Sequence, residues 1–555
     1  MRVLLVTLLA LACGCGGNQH WLGSKVGNWF QNDFKVGPNY VEPCAPVADD
    51  WIEGYNDRVQ HDLPMYDRWW SVFNDPILDA LIDEAYSENL TLKAAGFRVL
   101  QARALRGISV GEMFPQVQQL TADYIHSQDS QTTRGATGAA PGKRGYDFWS
   151  TGINQVWELD VWGKFRRQVE SADANLDASI ADYDDILVIL LADTAASYVE
   201  YRTVQERLRL TAANIELQKG SLKISEDRYK NEFVSKLDVT QALTNLERTQ
   251  ATVPRLELLR RNAMLRLCVL TGRTPQDLTD ELANAPIPTA PATVAVGIPA
   301  DLIRRRPDIR RAEREVAVQS AQIGVAVADL FPQLSISGFL GWDSENLSSL
   351  FQSSSLAGFV AAPTVNWNVL NYGRLFNNVL LQDAGFQELV LTYQQKVLDA
   401  GAEAEQALAG FLRTQEEAEI LARAAKANQE SVDLVNTQYS GGFVDFNRVF
   451  TLQADLVTAQ DELAVSQGDI ALNLIEVYKS LGGGWQIRCT ESPAEIVLAE
   501  GVMQPVVEPA RPAIEPLQPG TEPAQPGLES TQPAVEPEQP TVEPADAALP
   551  AVRQD

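Results

Sequence analysis

Histidine is nearly missing from this chain of 555 residues: His20, His61 and His126 are the three, and none stands near a candidate nucleophile. Cysteine is scarce as well. Two of the five, Cys13 and Cys15, sit at the N-terminus; Cys44, Cys268 and Cys489 are far apart, without C-x-x-C spacing or neighbouring histidines. A metal therefore has no ligand set here, and no disulfide can be assigned. There is no glycine-rich phosphate loop, no H-E-x-x-H and no G-x-S-x-G. Nothing remains to carry catalysis, so the chain reads as a non-enzyme without a cofactor. Basic charge is also short. The 45 Lys and Arg face 73 Asp and Glu, for a net charge of −28. With no basic stripe, nucleic acid is disfavoured as a partner.

The two ends read as processing signal and tail. Arg2, the apolar run Val3–Ala12 and then Cys13-Gly14-Cys15-Gly16-Gly17 make a bacterial lipoprotein export signal. The run is too short to span a membrane as a helix. A covalent lipid is expected on Cys15, with Cys13 the alternative, and the following glycine leans toward outer-membrane delivery. At the other end, Gln504–Asp555 repeats Val507-Glu508-Pro509, Ile514-Glu515-Pro516, Val535-Glu536-Pro537 and Val542-Glu543-Pro544. Such a segment cannot bury a core and is expected to be disordered or polyproline II.

Between the ends the chain says the same thing twice. One heptad track runs Ile180, Leu187, Thr194, Tyr201, Leu208, Ile215, Leu222, Tyr229; another runs Val390, Val397, Ala404, Phe411, Ala418, Ala425, Val432, Tyr439. They are 210 residues apart, tyrosine matching tyrosine. Helices this long must pack side by side as coiled coils, and one track spans on the order of 100 Å. Other motifs repeat in the same order. Phe114-Pro115-Gln116-Val117 recurs as Phe331-Pro332-Gln333-Leu334, and Trp157-Glu158-Leu159-Asp160 with Gly163-Lys164 recurs as Trp367-Asn368-Val369-Leu370 with Gly373-Arg374. Leu270-Thr271-Gly272 recurs as Leu481-Gly482-Gly483. The fold is a duplicated rod or tube.

Helical periodicity disappears between the paired motifs. Gln116–Ile125 and Tyr146–Leu159 read as strands around a Gly/Pro-bearing loop, Ser127–Gly145; Gln333–Trp342 and Ala357–Leu370 repeat the pattern around Asp343–Ser355. Leu334, Ile336, Gly338 and Leu340 alternate with Ser335, Ser337, Phe339 and Gly341, giving one apolar face and one small or polar face. Alternating segments of about ten residues suit a transmembrane β-barrel. Four strands are too few to close one, so a membrane-spanning reading requires oligomerisation.

These residues resemble the outer-membrane efflux factors of the TolC and OprM type, in their lipoprotein branch. The resemblance covers about residues 36–485. It begins at Val36-Gly37-Pro38-Asn39-Tyr40 and continues through Trp69-Trp70-Ser71-Val72-Phe73-Asn74-Asp75-Pro76 and Gln101-Ala102-Arg103. The Phe-Pro-Gln and Trp157–Lys164 motifs follow, then Arg304-Arg305-Arg306-Pro307-Asp308-Ile309-Arg310. It implies a mainly α fold with a small transmembrane β part: a homotrimer whose twelve-stranded barrel, four strands per protomer, continues as a long antiparallel α-helical barrel. The expected divisions are signal region 1–15, extended segment 16–75, first repeat 76–275, equatorial linker 276–300, second repeat 301–484, C-terminal equatorial segment 485–503 and tail 504–555.

By the same resemblance, the chain is a passive outer-membrane channel, lipid-anchored, with its helices in the periplasm. It would conduct small molecules delivered by a periplasmic adaptor and an inner-membrane pump of the RND type. Service in type I protein secretion is the near alternative, and a pore-less periplasmic scaffold the distant one. The family's gate and adaptor contact lie at the turns between paired long helices. These hold Arg228, Glu232, Lys236 and Asp238 in the first copy, and Gly441, Gly442, Asp445 and Arg448 in the second. Asp238 matches a family tip aspartate. Glu232 replaces the family glycine, and Arg448 and Thr451 stand where the second copy's acids belong, so Asp445 with Arg448 is expected to form a different constriction.

Overall fold

Two glycines with left-handed backbone, Gly163 and Gly373 (both φ +80°), release the chain into its two longest helices. These are α3, Lys164–Lys230, and α7, Arg374–Ser440, each of 67 residues and therefore roughly 100 Å long. Their starts and ends are both 210 residues apart, so the repeat in sequence is a repeat of structure. The computed structural model describes residues 29, 32–60, 67–128, 145–300 and 305–490; both candidate lipid-bearing cysteines and the Glu-Pro tail lie outside them.

Each copy opens with shorter helices: α1 (Pro76–Glu88) and α2 (Leu90–Gly111) in the first, α6 (Pro307–Ala328) in the second. A strand pair follows each, β2 (Val117–Gln128) with β3 (Gly145–Glu158), and β5 (Gln333–Ser344) with β6 (Leu356–Asn366). The Phe-Pro-Gln motifs mark these helix-to-strand changes. Tryptophans fasten them: Trp157 Nε1 donates to Met113 O at 3.2 Å, and Trp367 Nε1 to Leu330 O at 3.1 Å. After each long helix the chain turns back, as α4 (Lys236–Gln250) and α5 (Thr252–Leu270), or as the unbroken α8 (Phe446–Ser480). The break at Ala251 has a cause. Pro254 stands where the second copy has Ala464; it lacks the N–H for the Gln250 carbonyl, and its ring crowds that carbonyl.

The four strands form one antiparallel sheet in the order β2-β3-β5-β6. Register places Leu120, Ile153 and Leu340 in one row and Gln119, Asn154 and Phe339 in the next. The first face is apolar and exposed, with Leu120, Tyr124, Ile153, Leu340 and Trp342 on it. The second is polar: Ser150 donates to Asp343 at 2.7 Å, and Asn154 to the Thr121 hydroxyl at 3.0 Å. On this face Gly152 and Gly341 oppose each other beneath the Phe339 ring. A Cβ on Gly341 would sit 2.6 Å from the Gly152 Cα. Gly341→Val should therefore cost about 3 kcal/mol through overpacking, visible as a lower unfolding temperature in detergent. Among the described residues, no helix is long and apolar enough to cross a membrane.

The main core lies around the middle of the long helices, where Trp69, Trp70, Leu187, Tyr198, Leu267, Phe411, Leu474 and Tyr478 are buried together. A two-residue parallel pair, β1 (Val59–Gln60) with β4 (Val294–Ala295), ties the N-terminal segment to the linker between the copies. The Arg-Pro-Asp motif proves to be a clamp. Arg306 pairs with Asp308 at 2.8 and 3.0 Å, reaches Glu403 at 2.7 Å, and donates to Ser480 O at the end of α8. Pro307 occupies the first turn of α6, and Ile309 is buried in a separate cluster with Val316, Tyr393, Val397 and Ala400. Arg310 lies over the Trp485 ring at 5.0 Å. Beyond the repeat, Arg488 makes a bidentate pair with the fully buried Asp184 at 2.8 and 3.0 Å.

Burial and the neighbouring Asp308 push Asp185 up to about 6. The folded chain thus holds this proton more tightly than the unfolded one. The associated stability is full below about pH 4 and is lost as pH rises through about 6. Asp185→Asn should be more stable than wild type at pH 7, with the difference vanishing below pH 4 in parallel unfolding curves.

The heptad tracks behave unequally. In α7 the seam is buried from Val397 to Tyr439. In α3, Leu187, Thr194 and Tyr201 are buried, but Leu208, Ile215 and Leu222 are only half-buried and Tyr229 is exposed. Burial there passes to Thr211, Asn214, Gln218, Ser221 and Ser225. The distal part of α3 faces the other copy across hydrogen bonds, so its buried stripe is polar.

Candidate functional site

The turns α3–α4 and α7–α8 lie a full helix length from the sheet. Both use the same backbone device. Phe233 N donates to Arg228 O and Phe443 N to Gln438 O, each at 2.9 Å, closing the helix ends through a left-handed residue. In the second turn that residue is Gly442 (φ +80°); in the first it is Glu232 (φ +60°). A side chain in this region is disfavoured by roughly 1 kcal/mol or more. Glu232→Gly should accordingly raise stability by about 1 kcal/mol, checked by denaturant unfolding. Ser235 and Asp445 occupy equivalent positions and cap the return helices. The Ser235 hydroxyl accepts from Leu237 N at 3.2 Å and donates to Asp238 at 3.0 Å; the Asp445 carboxylate accepts from Arg448 N at 3.3 Å.

The structure brings the two turns together at Tyr439. Arg228 donates to the Tyr439 carbonyl and lies 4.8 Å from the ring centre. The Tyr439 hydroxyl pairs with Ser225 at 3.2 Å, and its ring meets Phe446 edge-on at 5.3 Å. Burial holds the Tyr439 hydroxyl above its ordinary pKa, and the nearby Asp238 adds to this. Ala242 from α4 packs into the same cluster as Val435, Phe446 and Val449. A Cβ on Gly442 would come within 3.3 Å of the Arg228 guanidinium, so Arg228 and Gly442 are neighbours. Asp445 and Arg448 meet only as cap and backbone, while the Arg448 side chain is exposed. Glu232, Lys236 and Gly441 are exposed too.

Sequence reasoning missed Tyr439 as the hub, although both heptad tracks end on tyrosine. It also missed Phe233 and Phe443, whose rings are 76% and 84% exposed at matching places in the two turns.

The sheet carries the second functional feature, an aromatic band at each end of its apolar face. Tyr124 and Trp149 lie 4.3 Å apart, and Trp342 meets Phe351 at 5.7 Å; Trp157 and Trp367 mark the helical end. From Trp149 to Trp157 the strand rises roughly 26 Å, close to the apolar band of about 25 Å in outer-membrane barrels.

The family profile described as outer membrane efflux protein matches residues 81–273 and 298–483. The chain belongs to the outer membrane efflux protein family. Nodulation protein T of Rhizobium leguminosarum bv. trifolii is 31% identical over 438 residues, covering 79% of this chain and 90% of that protein. The toluene efflux pump outer membrane protein TtgI of Pseudomonas putida is 29% identical over 474 residues, covering 81% and 95%. Among solved structures, the outer-membrane channel OprN superposes with a TM-score of 0.76 at 31% identity, covering 81% of this chain and 99% of that one. The fold is therefore TolC-like, and the chain is an outer-membrane channel component of the efflux type.

Proposed function

We propose that three copies of this chain close one twelve-stranded barrel in the outer membrane, continued by a helical tunnel that ends at the paired turns. The observation that carries this reading is the sheet. It exposes an apolar face framed by aromatics, and among the described residues β2 and β6 each have one edge unpaired. In a bilayer such edges must be paired, and four strands alone cannot close.

The channel conducts small molecules passively. An inner-membrane pump, of the RND type by family resemblance, supplies the energy, and a periplasmic adaptor couples it to the turns. A lipid on Cys15, or on Cys13, anchors the N-terminus. At the turns, Arg228, Asp238 and Gly442 hold the closed state within a protomer. Glu232, Lys236, Gly441, Asp445 and Arg448 present an exposed surface to neighbouring copies and to the adaptor. The mass of the detergent-solubilised protein tests the assembly. Three chains per particle are expected; a monomer stable in detergent-free buffer would leave only the scaffold reading.

A further inference from the structure

The seam between the distal part of α3 and the second copy's hairpin is built from uncharged polar side chains in layers. Gln453 of α8, 2% exposed, is the hub of one layer. Its Nε2 donates to the Ser221 hydroxyl of α3 at 2.7 Å and to Asn436 Oδ1 of α7 at 3.4 Å, and its Oε1 accepts from Asn245 of α4 at 3.4 Å. Four helices thus meet on one amide. The next layer joins Asn214 of α3 to Gln460 of α8 at 2.8 Å, and Gln460 to Gln429 of α7 at 3.3 Å. Between them Gln218, 2% exposed, has neither amide atom paired. The ladder ends toward the core at a bidentate Arg207–Asp461 pair, at 2.6 and 2.9 Å.

The second hairpin's own distal contact is mainly apolar: Val435, Tyr439, Phe446 and Val449 are buried together, and the first copy adds only the small Ala242 and the edge of Leu222 to that cluster. The two kinds of interface differ in what separation costs. Parting apolar surfaces exposes them to water, whereas parting amides exchanges protein partners for water at little net change. The polar seam is therefore the less costly place for the α7–α8 hairpin to part from α3 and α4.

We infer that Gln453 is a latch: one amide that holds the second hairpin against both helices of the first and sets the balance between closed and open turns. This rests on the channel reading above and adds a positioning residue about 12 Å up α8 from the turn. An apolar side chain at 453 takes this partner from Asn245 and Asn436 and leaves the Ser221 hydroxyl only the Leu217 carbonyl while closed, whereas water serves all three when open, so it favours opening. A carboxylate at 453 does so only when ionised. Protonated glutamic acid keeps the carbonyl for Asn245 and offers an O–H to Ser221.

The test is single-channel recording of the full-length protein in planar bilayers at pH 8 and pH 5, comparing wild type, Gln453→Leu and Gln453→Glu. Gln453→Leu should show at least threefold higher mean conductance than wild type at both pH values. Gln453→Glu should match Gln453→Leu at pH 8 and return toward wild type at pH 5. Wild-type conductance in both variants at both pH values would overturn the latch while leaving the channel intact. Failure of both variants to assemble would make the seam a folding element and would equally overturn it. No current from wild type would instead sink the channel reading itself.

Discussion

Replacing Arg306 by methionine should lower the unfolding free energy by about 3–5 kcal/mol, the usual effect of leaving one member of a buried ion pair alone. The side chains of Arg306 and Asp308 are each only 10% exposed. The pair does more than neutralise itself, because Arg306 also takes the Ser480 carbonyl and reaches Glu403. One side chain thereby locks the start of α6, the end of α8 and the middle of α7. Methionine matches the stem but supplies no donor, so Asp308 would keep only Lys396, at 3.7 Å, and the Ile309 N–H.

The pH dependence follows with a definite sign. Although burial opposes it, Arg306 holds Asp308 below its ordinary pKa, so the pair's contribution is present above about pH 4 and fades as acid protonates the carboxylate. The wild-type advantage over Arg306→Met should shrink as pH falls below 4, as urea titrations at several pH values would show. Asp308→Asn with Arg306 retained should also be destabilised, which separates loss of the pair from loss of side-chain volume.

The second large effect is expected at the turns. Arg228→Ala removes a charge-assisted hydrogen bond to the Tyr439 carbonyl and a guanidinium–ring contact. Together these contribute about 2 kcal/mol. If they act only in the closed arrangement, the open-to-closed ratio rises roughly thirtyfold, since each 1.4 kcal/mol is about tenfold. Tyr439→Phe keeps the ring beneath Arg228 and loses only the Ser225 partner, so its effect should be several-fold smaller. Mean single-channel conductance should rank Arg228→Ala above Tyr439→Phe above wild type. Equal conductance in all three would remove the Tyr439 cluster from the gate.

Much of the architecture was legible because punctuation residues act locally. Gly163 and Gly373 supply left-handed backbone that few other residues accept, and the tryptophans fasten the same junction twice. Strand limits were read within a few residues, except that β6 stops at Asn366 rather than Leu370. There the chain leaves the sheet: Val369 N bonds back to Trp367 O, and Tyr372 adopts φ +52°. Apolar residues at 369 and 370 looked like strand but are largely exposed in a turn.

The distal seam of α3 was not legible. Heptad counting rewards Leu208, Ile215 and Leu222, whereas a helix with neighbours on two sides carries two stripes, and the second is made of Asn, Gln and Ser. The Tyr439 hub stayed hidden for a related reason, since contacts between the copies depend on how the hairpins rotate. The cap that Asp445 gives α8, accepting from the Arg448 N–H, was likewise not read from the sequence.

If copies of this chain make a pore closed at its distal turns, that pore must pass ions. The most direct measurement is the current that purified, full-length wild-type protein carries across a planar bilayer. Discrete small steps are expected, from a trimer that extracts only with detergent. No steps at any protein amount, from a chain soluble without detergent, would contradict the pore reading.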